Sequence, residues 1–281
     1  MKILVTGAHG QLGRAVCAEL NQKGIPCIAA GRDSFTLTDR ESVDAFVRSA
    51  APDAIIHCAA YTDVDRAELE PERCMAVNAQ GTAFLAQAAA DTGAKLLLVS
   101  TDYVFSGAAA EPYGPDDPRG PVNVYGLSKL QAEEAVRSLC KRSFIVRTSW
   151  LFSAEGSNFV RKILSQARET RSLRVVCDQT GCPTYAPDLA AYLVQLIRTD
   201  HYGITHAVNS GFCTRSEFAS AILRLARIPC QVMPVPSSVV PSVARRPLNS
   251  RLDGAGTEPV LPTWQSGLQR CISDLVRTGA L

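Results

Sequence analysis

Residues 2–13 read KILVTGAHGQLG, and this stretch decides the fold of the 281-residue chain. The apolar run at 2–6 predicts a β-strand, the glycines predict a turn, and the residues after them predict a helix. Gly7 allows the tight turn, Gly10 lets the backbone approach a pyrophosphate, and Gly13 lets the helix pack on the strand. This order is typical of a dinucleotide-binding turn, in which the helix N-terminus faces the phosphates. A turn that is merely tight is the alternative.

Apolar runs that predict strands alternate with helical patterns along the first 150 residues. The chain therefore predicts an α/β fold with a Rossmann-type doubly wound parallel sheet. Beyond this point the alternation loses its regularity, which predicts a smaller C-terminal substrate-binding lobe over the carboxyl edge of the sheet. Residues 1–150 are expected to form the NAD(P)-binding core, with segments of about 174–208 returning to it, and residues 151–281 mainly the lobe.

The remaining elements follow from the apolar periodicity. Strands are expected at residues 25–30, 53–60, 95–99, 144–149, 173–177 and 205–208. Helices are expected at residues 38–48, 71–92, 158–168, 188–197, 214–227 and 264–277. Thr214 and Glu217 have the spacing of a capping box, so they mark the start of one of these helices.

The second predicted strand ends at Gly31 and Arg32, where sites for NAD usually hold an acidic residue. A guanidinium there suits a 2′-phosphate, which favours NADPH over NADH as cofactor. Asp33 keeps NADH open, and a solvated loop arginine is the alternative for Arg32. Asp39 is expected to cap the next helix, to contact the adenine, or to do both.

The third predicted strand runs into the small residues Ala59 and Ala60, which are followed by Tyr61. Small side chains permit close backbone approach at the carboxyl edge, where ligands bind in such folds. His57 is interpreted as a packed core residue rather than a catalyst. Asn78 lies within a predicted helix, where asparagine is unfavourable, which indicates a polar role such as holding water near the site. Surface exposure is the alternative.

Two hydroxyl side chains, Ser100 and Thr101, follow the fourth predicted strand. A hydroxyl at this end of a strand can donate to a substrate carbonyl beside a nicotinamide, and Thr101 is predicted to do so. A cap of the following turn is the alternative. Residues 111–121 are rich in proline, glycine and aspartate, and predict a surface loop beside the substrate cleft.

Residues 123–129, NVYGLSK, place Tyr125 and Lys129 four positions apart at the start of a predicted helix. That spacing puts both side chains on one face, so the ammonium is expected near the phenol. A phenol has an ordinary pKa of about 10, and a neighbouring cation lowers it. Tyr125 is then a general acid that can protonate a carbonyl oxygen. A solvated helix face is the alternative.

Composition excludes several classes of partner. A hydrophobic content of 46% and a charged content of 20% are ordinary for a globular protein, and a net charge of +2 gives no basic excess for nucleic acid. The ten cysteines are scattered without a Cys-x-x-Cys pair, which predicts reduced thiols and no zinc site. The chain opens with a strand and has no apolar run of membrane-span length, so a cytoplasmic location away from membranes is expected.

The proline-rich stretch at 235–247 carries Arg245 and Arg246. The planar fork of a guanidinium suits a diphosphate, and Arg246 is a substrate-binding candidate for that reason. A solvated basic loop is the alternative.

Several motifs, taken together, resemble the extended short-chain dehydrogenase/reductases and, more narrowly, the dTDP-4-dehydrorhamnose reductase family. The resemblance spans nearly the whole chain. It lies in GAHGQLG at 7–13, AAYTDVDRAE at 59–68, STDYVFSG at 100–107, YGLSK at 125–129, RTSW at 147–150, DQTGCPT at 178–184 and RPLNSRLD at 246–253. His57 and Cys58 stand where the family has Asn-Ala, and Ser106 stands where an acidic residue is frequent, so fine substrate or cofactor preference is open.

The resemblance implies reduction of the C4 keto group of dTDP-4-dehydro-L-rhamnose (dTDP-4-keto-6-deoxy-L-mannose) to dTDP-L-rhamnose. It implies a dTDP-sugar as substrate and Thr101, Tyr125 and Lys129 as the catalytic trio. With the patterns above, the substrate-binding candidates are Thr101, Asp102, Tyr103, Trp150 and Arg246. The cofactor-binding candidates are Gly7, Gly10, Gln11, Leu12, Gly13, Arg32, Asp39, Ala59, Ala60, Tyr61, Asn78, Ser100, Tyr125 and Lys129.

The resemblance also implies a homodimer, because some members of the family hold Mg²⁺ at a dimer contact; no residue of this chain is assigned to that metal. Three other functions stay open. One is reduction of another 4-keto-6-deoxy sugar nucleotide. The second is a non-catalytic NADP-binding regulatory subunit resembling that of methionine adenosyltransferase. The third, an epimerase that retains its NAD, is less favoured because Arg32 suits an exchangeable phosphorylated cofactor.

Overall fold

The fold is described from a computed structural model that covers residues 1–254, 256 and 258–281. Its strands are β1 Ile3–Thr6, β2 Cys27–Ala30, β3 Ala54–His57, β4 Lys95–Thr101, β5 Ser143–Thr148, β6 Leu151–Phe152, β7 Ser172–Val176, β8 Thr180–Gly181, β9 Thr184–Tyr185, β10 Gly203–His206, β11 Cys213–Thr214 and β12 Gln231–Val235. Its α-helices are α1 Gln11–Gln22, α2 Arg40–Ala50, α3 Val64–Leu69, α4 Pro71–Met75, α5 Gly81–Thr92, α6 Val124–Leu139, α7 Phe159–Glu169, α8 Ala186–Leu196, α9 Arg215–Ala226 and α10 Trp264–Arg277.

The central sheet of the described residues has six parallel strands in the order β10-β5-β4-β3-β1-β2. Strands β1, β3 and β5 are buried along their whole length, as expected where helices cover both faces of a parallel sheet. This arrangement confirms the predicted Rossmann-type α/β fold. The carboxyl ends of β1, β3 and β4 therefore lie side by side, and the candidate site is built at that edge.

Separate apolar layers cover the two faces of the sheet. One joins α1 and α8 to the inward side chains of β1, β3 and β5. The other joins α2, α5 and α6 to the opposite side chains of the same strands and of β4. Of the segments at about 174–208 that were expected to return to the core, α8 packs on the central sheet and β10 joins it. Strand β7, which was expected to return with them, instead pairs with β12 outside the central sheet.

A further apolar core lies in the C-terminal part of the chain. It is formed by α7, α9 and α10 with β7, and aromatic contacts join Phe218 to Phe152, Phe159 and Trp264. Helix α10 has the predicted bounds, and α9 begins with the predicted capping box of Thr214 and Glu217. Strand β12 was missed, because Pro234 within it and the prolines that follow favour a loop.

The helix predicted at 71–92 is interrupted. α4 passes into a π-helix at Ala76–Gln80 before α5 begins. Single π-helical turns inside α-helices are frequent at functional sites. Here the π-helix carries Asn78 inward.

Two further observations concern the chain as a whole. In the stretches covered by the structure, no helix is long and apolar enough to cross a membrane. All ten cysteines are free thiols, and five of them, Cys74, Cys140, Cys182, Cys213 and Cys271, are buried.

Candidate active site

The glycine turn connects β1 to α1 at the carboxyl edge of the sheet. Gly7 has a left-handed backbone, φ 64°, and a Cβ atom there would lie 2.7 Å from the backbone N and Cα of Ala59. Only glycine fits, and the turn packs directly against the residues that follow β3. Gly10 is the N-cap of α1 and no side chain caps that end of the helix, so its first N–H groups are available to an anion. The turn therefore fits a pyrophosphate.

The end of β2 is more open. Arg32 is exposed, and the imidazole of neighbouring His9 lies 3.8 Å from the Asp33 carboxylate. The Asp39 carboxylate accepts a hydrogen bond from the Glu41 N–H at 3.0 Å, which confirms its role as a helix cap. Contact of Arg32 or Asp39 with a cofactor stays a prediction.

Asn78 is buried and holds the segment after β3 in place. Its side-chain oxygen accepts from the Tyr61 N–H at 2.7 Å, and its amide nitrogen donates to the Tyr61 carbonyl at 3.0 Å and to the Ser128 hydroxyl at 2.9 Å. The alternative of surface exposure was wrong. Its polar groups bind the protein itself, so Asn78 positions Tyr61 beside the edge; holding water, or touching a cofactor, stays a prediction.

His57 lies within the sheet, as its interpretation as a core residue requires. Its ring nitrogens lie 2.6 Å from the Thr6 hydroxyl and 3.0 Å from the Thr82 hydroxyl. Burial, assisted by the charge of Lys129, lowers the pKa of His57 to about 3, so the imidazole is neutral at physiological pH.

Thr101 ends β4 and begins the short 3₁₀ helix Asp102–Val104. Its hydroxyl accepts from the Tyr103 N–H at 3.2 Å and donates to the Asp102 carboxylate at 2.9 Å, so the turn-capping alternative is realised. The same hydroxyl lies close enough to the Tyr125 phenol to act on its pKa. The rings of Tyr103 and Tyr125 meet edge to face, with centroids 5.9 Å apart. Strand end and helix α6 therefore meet at the site.

Asp102 is a buried acid in this cluster. Burial raises the pKa of its carboxyl to about 6, and the Ser250 and Thr101 hydroxyls act in the opposite direction. Within the described residues its Oδ2 atom has no hydrogen-bond partner. A buried carboxylate oxygen without a partner is costly, which fits a group reserved for a polar ligand.

Lys129 and Tyr125 lie one turn apart on α6, as their spacing predicts. Lys129 is almost fully buried, and its charge acts on His57 and Cys58 at the end of β3, next to the Ala59 that packs on Gly7. Burial lowers the pKa of Lys129 to about 8, although Glu133 opposes the shift. In the part of the chain that the structure describes, its ammonium donates no hydrogen bond, so it too fits a polar ligand.

The prediction that Lys129 lowers the pKa of Tyr125 was wrong for the protein alone. Burial raises the pKa of the phenol well above its usual range; the nearby Thr101 hydroxyl lowers it only in part, and Asp102 raises it further. Desolvation therefore outweighs any effect of the cation on the phenol. Tyr125 is consequently protonated at neutral pH, which is the state that a proton donor needs.

Sequence reasoning missed a buried ion pair behind the site. The Arg147 guanidinium makes two hydrogen bonds to the Glu133 carboxylate, of 2.9 and 2.8 Å, and the Ser100 hydroxyl donates to the same carboxylate at 2.6 Å. Both charged side chains are fully buried. The Ser100 hydroxyl thus turns away from the edge and ties β4 to α6. The available signal was an arginine inside the apolar strand SFIVRT.

Trp150 follows β5 and has an uncommon backbone conformation. Trp150 has a left-handed conformation, φ 44°, which is strained for a residue with a large side chain. One face of its indole lies on Gly181, where a Cβ would overlap the ring, and the Arg215 guanidinium stacks over the indole with Cζ 3.5 Å from a ring centroid. Arg215 was also missed, because an arginine at the start of a surface-type helix carries no signal of its own.

Arg246 does not lie in a solvated loop. Its guanidinium donates two hydrogen bonds to the Asp65 carboxylate, of 3.0 and 2.7 Å. This pairing holds the pKa of Asp65 down at about 2. Arg246 also lies near the Tyr103 hydroxyl, so it reaches the edge of the same site.

The chain matches the family model described as RmlD substrate binding domain over residues 1–277. The chain belongs to this family. A dTDP-4-dehydrorhamnose reductase from Streptomyces griseus is 42% identical over 94% of this chain and 91% of that protein. Another from Sinorhizobium fredii is 38% identical over 99% of both chains. The crystal structure of a Bacillus anthracis dTDP-4-dehydrorhamnose reductase in complex with NADP is 38% identical, with a TM-score of 0.94 over 98% of this chain and 100% of that one.

Within this fold the Thr101 hydroxyl lies near the Tyr125 phenol, Lys129 lies one turn along α6, and the predicted sugar-site residues Asp102, Tyr103 and Arg246 lie near this pair. The roles of these residues stay predictions. Among the described residues, no group of three or more His, Cys, Asp or Glu side chains is arranged to hold a metal ion within one chain. No step proposed below involves a metal.

Proposed function

We propose that this chain is an NADPH-dependent reductase that converts dTDP-4-dehydro-L-rhamnose to dTDP-L-rhamnose by reducing the C4 keto group. The observation that carries the proposal is the proximity of the Thr101 hydroxyl to the Tyr125 phenol, with Lys129 one turn further along α6 and near the end of β3 that packs on the glycine turn. Similarity to named dTDP-4-dehydrorhamnose reductases along the whole chain supports the sugar-nucleotide substrate. NADP is bound in one such relative, and the turn of this chain suits the same cofactor.

Tyr125 is proposed to be the general acid. NADPH, when bound, supplies the hydride that adds to C4 of the sugar. As negative charge develops on the C4 oxygen, the phenol transfers its proton to that oxygen, because an alkoxide is a stronger base than a phenolate. The raised pKa of Tyr125 keeps this proton in place until the charge develops.

Thr101 and Lys129 are proposed to assist Tyr125. The Thr101 hydroxyl turns from Asp102 to the substrate carbonyl and polarises it. The Lys129 ammonium binds ribose hydroxyls of the cofactor and stabilises the phenolate that remains after proton transfer. These groups are already oriented by the fold, which is how a preorganised site lowers the barrier.

We also propose that different parts of the chain bind the cofactor and the sugar nucleotide. Residues 1–150, with α8 and β10, hold the cofactor, and the lobe formed mainly by residues 151–281 holds the sugar nucleotide. The separate core of α7, α9 and α10 supports this division. Ten free thiols favour a reducing compartment, and we propose the cytoplasm. The homodimer that the resemblance implies stays a prediction.

The test is an activity assay of the purified protein with dTDP-4-keto-6-deoxy-L-mannose and either NADPH or NADH. Turnover is measured through the oxidation of the nicotinamide. We expect product with a preference for NADPH, because Arg32 suits the 2′-phosphate. Tyr125→Phe is expected to lower kcat by about 10²–10⁴-fold while NADPH still binds. Native turnover by Tyr125→Phe would refute the mechanism. NADPH binding without turnover of any 4-keto sugar nucleotide would favour the regulatory-subunit alternative.

A further inference from the structure

Arg215 is the first residue of α9, and its guanidinium is sandwiched in the lobe's half of the site. It stacks on Trp150 and lies 5.1 Å from the ring centroid of Phe159. Gly181 packs closely against the same indole, because a Cβ there would lie 2.4 Å from the Cε2 atom of Trp150. Stacking of this kind fixes the plane of the guanidinium while leaving its edge N–H groups free to bind a ligand.

The charge of Arg215 is not neutralised by an ion pair. In the part of the chain that the structure describes, no carboxylate lies within 4.0 Å of its guanidinium; Asp102 acts on it only from further away. Arg246 reaches the same place, since both arginines lie near the Tyr103 hydroxyl, but its charge is matched by Asp65. The surplus positive charge in the lobe's half of the site therefore belongs to Arg215.

A purely structural role accounts for only part of this geometry. Stacking on Trp150 explains why the side chain is held, but it does not explain an arginine where an uncharged side chain would stack without the cost of desolvating a charge. An anion explains both, because a planar guanidinium with free N–H groups matches a phosphate in two simultaneous hydrogen bonds.

We propose that Arg215 binds the diphosphate of the sugar nucleotide and that Trp150 aims its guanidinium. The inference rests on the proposed function, since it names the residue that recognises the charged part of that substrate. It also changes the assignment made from sequence. Arg246, which was chosen as the diphosphate ligand, is engaged by Asp65, and the free guanidinium is that of Arg215.

The experiment compares binding of dTDP and of thymidine, by calorimetry, to the full-length protein and its Arg215→Met and Arg215→Lys variants. We expect Arg215→Met to weaken dTDP binding by about 10–100-fold and to leave thymidine binding unchanged, because only dTDP carries the anion. Arg215→Lys should be intermediate, because it keeps the charge but not the fork. In turnover, KM for the sugar nucleotide should rise more than kcat falls.

Arg224→Met is the matched control, because Arg224 lies on the same helix and is exposed, so the same charge is lost away from the site. Equal weakening of dTDP and thymidine binding by Arg215→Met would mean that Arg215 acts only through Trp150, and would overturn the proposal. Unchanged dTDP binding would overturn it as well. A wild-type protein that binds NADPH but not dTDP would overturn the proposed function itself, which separates the two failures.

Discussion

The burial of the Lys129 ammonium has an energetic cost that bears on its function. Its ammonium is almost fully buried, and burial lowers its pKa from 10.5 to about 8. That shift corresponds to about 3 kcal/mol of unfolding free energy lost at neutral pH, because the unfolded chain holds the charge more favourably. A cost of this size at a site that faces the glycine turn indicates a functional role for the charge.

Lys129→Met is therefore expected to raise the free energy of unfolding by about 1–3 kcal/mol at pH 7 and to lower kcat/KM by about 10²-fold or more. Urea unfolding and steady-state kinetics measure the two effects. Lys162→Met, which removes an exposed lysine of α7, should change neither. A variant that is less stable than the wild type would contradict this account of Lys129.

The pKa of Lys129 also determines how activity and stability are expected to depend on pH. Below about pH 8 Lys129 carries its charge in the folded protein, and above it the charge is lost. We expect kcat/KM to fall as pH rises through about 8, since this parameter reports groups of the free enzyme. The unfolding free energy should rise over the interval from about 8 to 10.5, where the unfolded chain binds more protons than the folded one. A rate profile that stays level well above pH 8 would show that the charge is not needed.

At the scale of elements, the π-helix at Ala76–Gln80 connects the helical layer to the sheet edge. It turns Asn78 inward, where the amide makes three hydrogen bonds of 3.0 Å or less, to the Tyr61 backbone and the Ser128 hydroxyl. Because Ser128 neighbours Lys129 and Tyr61 follows Ala60, one side chain fixes the distance between α6 and the segment after β3. The interruption thus serves the geometry of the site.

Asn78→Ala should lower the free energy of unfolding by about 2–4 kcal/mol, because it leaves the Tyr61 N–H and carbonyl without their side-chain partner and removes a hydrogen bond to the Ser128 hydroxyl. It should also weaken NADPH binding, since the segment that packs on Gly7 loses its anchor. Chemical unfolding and a fluorescence titration with NADPH provide the measurements. Gln80→Ala, at an exposed position of the same π-helix, is the control. Native cofactor affinity in Asn78→Ala would disprove the positioning role.

At the scale of the whole molecule, the site lies where the two halves of the chain meet. The central sheet supplies the glycine turn and Thr101, and the adjacent helix α6 supplies Tyr125 and Lys129, whereas Trp150 and Arg215 depend on the lobe core around Phe218. Phe159, which lies near Arg215, stacks on Phe218 with centroids 5.6 Å apart. Packing within the lobe is thereby coupled to the placement of Arg215.

Phe218→Ala is expected to destabilise the lobe by about 3–5 kcal/mol, as large-to-small substitutions in cores do. Hydrogen exchange should accelerate in α7, α9 and α10 more than in the central sheet, and dTDP binding should weaken more than NADPH binding. Val276→Ala, at a 60% exposed position of α10, should leave both unchanged. Uniform acceleration of exchange along the chain would refute the division into two cores.

The fold could be predicted, and the candidate catalytic residues could be assigned to its elements, because these signals are local. The glycine turn, the apolar strands and the spacing of Tyr125 and Lys129 each lie within a few residues, and backbone geometry converts such spacings directly into structure. The same holds for the Asp39 cap and the Thr214 capping box. Full-length similarity to one family then supports the substrate class that we propose.

Tertiary structure alone decided the electrostatics of the site. Four features depend on residues that come from different elements of the chain. They are the raised pKa of Tyr125, the burial of Asn78, the Glu133–Arg147 ion pair and the stacking of Arg215 on Trp150. Desolvation depends on every atom packed around a group, and an ion pair depends on which two elements meet. The sequence by itself therefore determined the elements that carry the glycine turn, Thr101, Tyr125 and Lys129. Only the packed protein determined which of them are charged, and which arginine is left free for an anion.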